Sequence, residues 1–302
     1  MLLQKRLDPD RSAIAKVDRI PAPFIVGHAR SGTTLLRLML DAHPDLAIPD
    51  ETHFIPRVIE RCRTDANPRA AFLEILLGHP AWPSFLIPED AFAEQVGRLD
   101  PFDVGEALRV FFRFYAARFD KPRWGEKTPG YLEHMHLIQE VLPESRFIHI
   151  IRDGRDVALS WQGVSRGNVT VEQVAHRWMR QLWLARGQVE ALDYYLEIRY
   201  EDLIDDAEPV LRTICDFVEL PWDAGMLTYY ERSMERLSEK DLAVRPRESD
   251  IVQRGWRDNH ALTERPPQSD RVAVWKREMP PADRELFAEI AGEALATFGY
   301  EV

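Results

Sequence analysis

Short runs of apolar residues alternate along the chain with longer stretches in which apolar residues recur every three or four positions. That alternation of buried strands and amphipathic helices predicts a parallel α/β sheet. "PFIVG" (23–27) reads as a buried strand ending at Gly27, followed by a helix over 33–43 that Pro44 stops. "DLAIP" (45–49) reads as a short second strand, and 53 to about 120 as mostly helical, most clearly at 103–119. The aromatic run "FFRFYAARF" (111–119) fits the buried face of that helix. "RWGEKTP" (123–129) reads as a strand edge running into a loop, and "ESRFIHIIRD" (144–153) as a central strand. A helix then begins with "DVALSWQGV" (156–164), a long amphipathic helix spans 171–192, and "YYLEIRYEDL" (194–203) is another strand. A helix over 208–220 follows, and 237–272 is polar, with Pro246, Pro266 and Pro267. It reads as an ordered loop or lid, because long loops inside compact domains are often functional. A last helix runs over 281–300.

Composition narrows the picture. The chain has 302 residues, 45% of them hydrophobic, ample for a buried core. Its 39 basic and 50 acidic residues leave a net charge of −11, which argues against nucleic-acid binding. Any bound anion must therefore be held by a local site. Cys62 and Cys215 stand far apart and read as free core thiols of a reducing compartment. No signal peptide and no apolar run of membrane-span length is visible, so the expectation is a soluble cytoplasmic protein.

"FIVGHARSGTT" (24–34) has the outline of a phosphate loop. A strand ends at Gly27, four residues intervene, and Gly32 opens a helix with Thr33 and Thr34. Free N–H groups and the helix dipole favour an anion at such a point. The usual lysine of the Gly-x4-Gly-Lys-[Ser/Thr] pattern is missing, however, and Thr33 stands in its place. None of the six lysines lies in the loop, which weakens a nucleoside triphosphatase reading, and Arg30 is left to supply charge. "IIRDGRDVALSW" (150–161) makes a second strand-to-helix passage. There Arg152 ends the strand and Ser160 lies about two helical turns on, an arrangement able to close on one phosphate. The alternative is a surface charge cluster capping the helix. A ligand with two separate phosphate ends explains both sites, and parallel sheets bind such ligands outside the carboxyl ends of their strands.

These two motifs together resemble the sulfotransferases that use 3′-phosphoadenosine 5′-phosphosulfate (PAPS). "ARSGTTLLRLMLDAHPDL" is similar to their 5′-phosphosulfate loop and "IIRDGRDVALS" to their 3′-phosphate motif. "RSGTTLLRLMLDAHP" followed by "DETHFIPR" resembles the tyrosylprotein sulfotransferase branch and its bacterial relatives in order and spacing. "EIRYEDL", "FVELPWD" and "VAVWKREMPP" resemble later landmarks, so the likeness covers about 24 to 300. It implies a single α/β sulfotransferase domain over 1–302, with a P-loop-type parallel sheet flanked by helices. The PAPS-binding core would be 20–53 and 123–220, with a helical insertion at 54–122, a lid loop at 237–275 and a closing helix at 281–300. The resemblance further implies PAPS as co-substrate, PAP (3′,5′-diphosphoadenosine) as product and no metal. Gly27, Arg30, Ser31, Gly32, Thr33 and Thr34 would hold the 5′-phosphosulfate, and Arg152 and Ser160 the 3′-phosphate. Tyr200 matches a tyrosine that touches the nucleotide.

Sulfuryl transfer needs an in-line acceptor, a base for its proton and charge to stabilise the leaving phosphate. Glu51 lies just after the second strand, where the branch places its catalytic glutamate, and is the candidate base, ahead of Asp50. His53 stands where the branch has an arginine and is a further candidate. Lys127, in a segment where the branch also has a lysine, would supply the cation missing from the loop; the alternative is a surface lysine paired with Glu126. The Arg-rich stretch 244–259 is either a cover for the ligands or a solvated loop, and Arg166 is a weaker partner for the 3′-phosphate. The expected partner is a hydroxyl-bearing acceptor: a small molecule, sugar, lipid or peptide tyrosine. Two competing readings are a P-loop kinase or hydrolase of ATP and a non-catalytic PAP-binding protein.

Overall fold

A five-stranded sheet organises the molecule in this computed structural model, which describes residues 4–5, 19–165, 168–239 and 261–302. Its strands are β1 (Gln4–Lys5), β2 (Ala22–Val26), β5 (Glu126–Lys127), β6 (Ser145–Ile151) and β7 (Tyr195–Arg199). They lie in the order β1-β7-β6-β2-β5; all neighbours run parallel except β1, which is antiparallel to β7. Every residue of β2 and β6 is buried, which explains why both read as unbroken apolar runs rather than alternating ones.

Helices cover both faces. Phe24, Val26 and Phe147 point into one core with α2 (Ile55–Thr64), α3 (Pro68–Leu77), α4 (Trp82–Phe85), α5 (Glu89–Gly97) and α6 (Val104–Ala117). The aromatic run supplies Phe111, Phe112 and Tyr115 to that core, as its periodicity predicts. Ile25, Ile148, Ile150 and Ile198 point the other way, onto α1 (Thr33–Asp41), α10 (Tyr200–Asp205) and α11 (Ala207–Val218). A third cluster joins α8 (Gly154–Ser165) and α9 (Val171–Gln188) to helices Trp275–Glu278 and Pro281–Thr297. α7 (Met135–Val141) packs beside α2.

Three sequence readings change. "DLAIP" does form a strand, β3 (Leu46–Ala47), but it pairs only with β4 (Arg123–Trp124), outside the main sheet. β7 stops at Arg199, and Tyr200 starts α10, where Glu201 and Asp202 favour a helix start. The expected lid is short structured pieces where it is described: α12 (Ser233–Ser238) and 3-10 turns at Ala261–Glu264 and Ser269–Arg271. Its stretch 240–260, with the arginines of 244–259, lies outside the described residues, as does Arg166.

This topology fixes where a ligand belongs. From β2 the chain crosses to β5 on one side; from β6 it crosses to β7 on the other. The connections of these two adjacent strands diverge, and their carboxyl ends open a crevice at the switch point. The two anion motifs are the loops leaving those strands.

Candidate active site

Gly27 lets the phosphate loop start close against the sheet, since a Cβ there would sit 2.6 Å from the Ile150 carbonyl oxygen. The loop then passes twice through left-handed backbone, at Arg30 (φ 76°) and Gly32 (φ 94°). At Arg30 that conformation is strained, a cost found mostly where function requires it. Gly32 caps α1 with no side-chain hydrogen bond, whereas Asp103 caps α6 and Thr170 caps α9. Leu36 is the first residue of α1 to donate back, to Gly32 O at 3.0 Å, so the N–H groups of Thr33, Thr34 and Leu35 have no carbonyl in their own helix. The N–H groups of Gly27 and Ser31 are engaged by the Pro129 and His28 carbonyls. The first turn of α1, more than the start of the loop, therefore offers donors to an anion.

Arg152 leaves β6 straight into the same space. Its Nη1 donates to Arg30 O at 3.1 Å and its Nη2 to Arg271 O at 2.8 Å, and its guanidinium lies 4.4 Å over the Tyr200 ring. Its buried Nε has no hydrogen-bond partner among the described residues. Ser160 turns its hydroxyl to Arg30, accepting from Nε at 3.1 Å, rather than to Arg152 as the spacing suggested. Burial, followed by repulsion from Arg152, lowers the pKa of Arg30. The two expected phosphate sites thus share one cavity of about 420 Å³, with Arg30, Gly32, Thr33, Thr34, Arg152, Ser160 and Tyr200 on its wall. Gly27 and Ser31 are not on that wall.

Glu51 and Lys127 meet in space across a long stretch of sequence. Lys127 pairs with Ile25 in the register of β2 and β5, two residues before Gly27, and its side chain is 1% exposed. Its Nζ lies 2.7 Å from Glu51 Oε1 and 3.5 Å from Asp50 Oδ1, which excludes the surface lysine paired with Glu126. His53, in left-handed backbone (φ 54°), brings Nε2 to 2.9 Å from the second Glu51 oxygen while its side chain stays 56% exposed. Burial pushes the Glu51 carboxyl up, but Lys127 and the His53 hydrogen bond outweigh it and hold the group at about 2. The pair is outside the wall of the 420 Å³ cavity, at the end of the neighbouring strand.

Residues 21–224, two thirds of the chain, match the model described as the sulfotransferase family. The chain belongs to the sulfotransferase family. The relatives of this sulfotransferase include protein-tyrosine sulfotransferase 1 of Danio rerio, 26% identical over 93% of this chain and 73% of that protein. The protein-tyrosine sulfotransferase of Drosophila melanogaster is 26% identical over 99% of this chain and 56% of that protein. An uncharacterized protein of Aquifex aeolicus is 27% identical over 69% of this chain and 26% of its own length. The chain therefore spans from about a quarter to three quarters of these relatives. Among solved structures, the sulfotransferase domain from the Curacin biosynthetic pathway superposes with a TM-score of 0.59 at 21% identity, over 94% of this chain and 99% of that one. The sulfotransferase domain of the Synechococcus PCC 7002 olefin synthase gives 0.57 at 23% identity, over 95% and 98%. Both share the parallel sheet flanked by helices.

The cavity of this sulfotransferase has walls that sequence reasoning missed. Thr263, Gln268 and Arg271 come from the stretch read as a lid, and Tyr229 from the turn before α12. Asp156 holds the Trp275 N–H at 2.8 Å, tying that stretch to α8. The signal for Arg271 was a basic residue in "SDRVAVW", but a long polar segment gives no register from which to place it. Among the described residues, no helix is long and apolar enough to cross a membrane.

Gly32 carries a direct prediction. An added Cβ would lie 2.4 Å from Tyr200 Cδ2, in left-handed backbone. Gly32→Ala is expected to weaken PAP binding by at least about tenfold, through strain of roughly 1–2 kcal/mol and displacement of Tyr200. Isothermal titration checks this; unchanged affinity would show that Gly32 and Tyr200 do not shape the site.

Proposed function

We propose that the protein transfers a sulfuryl group from PAPS to a hydroxyl acceptor by in-line displacement. PAPS occupies the cavity at the switch point. Arg30 and the first turn of α1, with the Thr33 and Thr34 hydroxyls, receive the 5′-phosphosulfate. Arg152 and Ser160 receive the 3′-phosphate, with Tyr200 against the nucleotide. Glu51 takes the proton of the acceptor hydroxyl as its oxygen bonds to sulfur. The bond from sulfur to the 5′-phosphate oxygen breaks, PAP leaves, and Lys127 stabilises the charge on the transferring group. No metal is assigned a role.

The observation that carries this reading is two neighbouring guanidiniums at an uncapped helix start, with an acid–base pair one strand away. Arg30 and Arg152 repel one another until an anion joins them. A triphosphatase would want its cation inside the loop, whereas here Lys127 lies on β5. Sulfuryl transfer to a protein tyrosine is what the animal relatives' names describe; for this chain the acceptor class is a hydroxyl, and the half-exposed His53 beside Glu51 is the side chain we assign to meet it.

Two titrations test the proposal. PAP is expected to bind without magnesium, and ATP hardly at all. Magnesium-dependent ATP binding with no response to PAP would overturn it. Arg152→Ala is expected to weaken PAP by about 10- to 100-fold, a charge-assisted contact of roughly 1.5–3 kcal/mol. Its effect on the analogue with a 3′-hydroxyl should be much smaller. Equal weakening of both would remove Arg152 from the 3′-phosphate site.

A further inference from the structure

Behind Glu51 and Lys127 lies a second carboxyl that the proposed reaction does not use. Glu126 is fully buried on β5, next in sequence to Lys127. Its Oε1 accepts from the Thr52 hydroxyl at 3.0 Å and the Thr128 hydroxyl at 2.6 Å. The Thr52 N–H donates in turn to Thr128 Oγ1 at 3.0 Å. Tyr131 OH, held by the Ile55 N–H at 3.0 Å, meets Thr52 Oγ1 at 2.7 Å and closes the array. Glu126 Oε2 is buried and makes no hydrogen bond among the described residues.

Thr52 follows Glu51 in the chain, and Thr128 follows Lys127. The strand pairing that orders the sheet does not extend to residues 50–53, so side-chain hydrogen bonds fasten that segment to the end of β5. We infer that Glu126 is a positioning residue whose carboxyl cross-links Thr52 and Thr128 and thereby sets the Glu51–Lys127 contact. A buried hydrogen-bonded knot of this kind holds a single geometry, because each member would be left unsatisfied by a shift. The charges facing Glu126 are Lys127 and Glu51, and Tyr131 is the other titratable group against it. Burial pushes its carboxyl up to about 7, against the two threonine hydrogen bonds. On the acid side of that value it is a neutral acid, which glutamine mimics in shape and in the accepting oxygen.

The inference rests on the proposed roles of Glu51 and Lys127, and its test separates the two. Glutamate labelled with ¹³C at the side-chain carboxyl is titrated by NMR in the full-length protein, with the Glu51 signal assigned through Glu51→Gln. PAP release from PAPS with water as acceptor is measured at pH 6. In Glu126→Ala, the Glu51 midpoint is expected to rise from about 2 into the ordinary carboxylate range, as Lys127 loses its register. Turnover should fall at least about tenfold with KM for PAPS unchanged, the signature of lost alignment. Glu126→Gln should restore both toward wild type. Thr52→Val removes one of the two cross-linked hydroxyls and carries the same expectation if Glu126→Ala folds poorly. An unmoved Glu51 midpoint in Glu126→Ala or Thr52→Val overturns the inference, as does a Glu126→Gln variant no better than Ala. A midpoint that moves with turnover unchanged upholds the positioning and instead overturns the assignment of Glu51 and Lys127 to the reaction.

Discussion

Glu51→Gln is expected to lower transfer of labelled sulfate from PAPS by about 10²- to 10⁴-fold, the usual worth of a general base, while PAP binding stays as in the wild type. Binding should be spared because Glu51 is not on the wall of the cavity proposed for the nucleotide. Glutamine keeps the size of the side chain and an acceptor for Lys127, so the loss isolates the carboxylate's proton affinity. A carboxyl held at about 2 is a weak base, and the cause of its weakness is also its remedy. Lys127 and His53 depress it against the upward push of burial. If the phosphosulfate draws Lys127 to itself, that push prevails and the basicity of Glu51 rises when the acceptor needs it.

The sign follows from the same contacts. With Glu51 as the proposed base, transfer requires it ionised, so the rate should fall as pH drops through the carboxyl's pKa. With that value at about 2 in the resting protein, kcat/KM should show no acid limb from Glu51 between pH 5 and 8. Lys127→Met removes the largest lowering influence, and the limb should move upward toward or above the model-peptide value of about 4.3. An acid limb in the same place in both proteins would mean that Lys127 does not tune Glu51. Equal sulfate transfer by Glu51→Gln and wild type would remove the base assignment altogether.

What the sequence revealed was local; what it hid was brought together by the sheet. Gly27, Arg30 and Gly32 are legible because a strand, a tight loop and a helix start are neighbours in the chain. Arg152 is legible for the same reason at the end of β6. The orientation of Ser160 was not, because eight residues along a helix fix its height but not which arginine it faces. Tyr200 was read as a strand residue because alternation continues past Arg199 in "YLEIRYEDL", yet the acidic first turn starts α10 there. Glu51 and Lys127 were each found by their place relative to a motif. Their ion pair depends on the parallel register of β3 with β4, which leads residues 50–52 alongside 126–128, and no local pattern states that register. Glu126 enters the sequence reading only in the alternative of a surface lysine pair, since the buried hydroxyls that hold it come from residues 52 and 128.

Arg236→Ala is expected to cost about 3–5 kcal/mol in urea unfolding, because it strands a buried carboxylate. Arg236, on α12, grips Asp41 through Nε at 2.6 Å and Nη2 at 2.9 Å and reaches Glu239 through Nη1 at 2.6 Å. Its guanidinium lies 3.9 Å over the Phe119 ring, and Nη2 also meets Tyr115 OH at 2.8 Å. Burial raises the pKa of Asp41, but Arg236, then Lys121 and Arg37, more than reverse it, so the carboxyl stays charged in the core. Without Arg236, the hydrogen bond left to its carboxylate among the described residues is that from the Ile48 N–H at 2.8 Å. Replacing both partners, as in Asp41→Asn with Arg236→Met, should recover part of the loss, since no uncompensated charge is then buried. Arg98, whose pair with Glu94 is exposed on both sides, is the control: Arg98→Ala should change stability by less than about 1 kcal/mol. The same knot reaches the active site. Asp41 holds the N–H of Ile48 and Arg37 its carbonyl at 3.0 Å, three residues before Glu51. Sulfate transfer should therefore fall in Arg236→Ala even at temperatures where the protein remains folded. A loss below about 1 kcal/mol, matching the surface control, would show that Asp41 finds water or another cation in place of Arg236 and that the knot does not fasten α12 to α1.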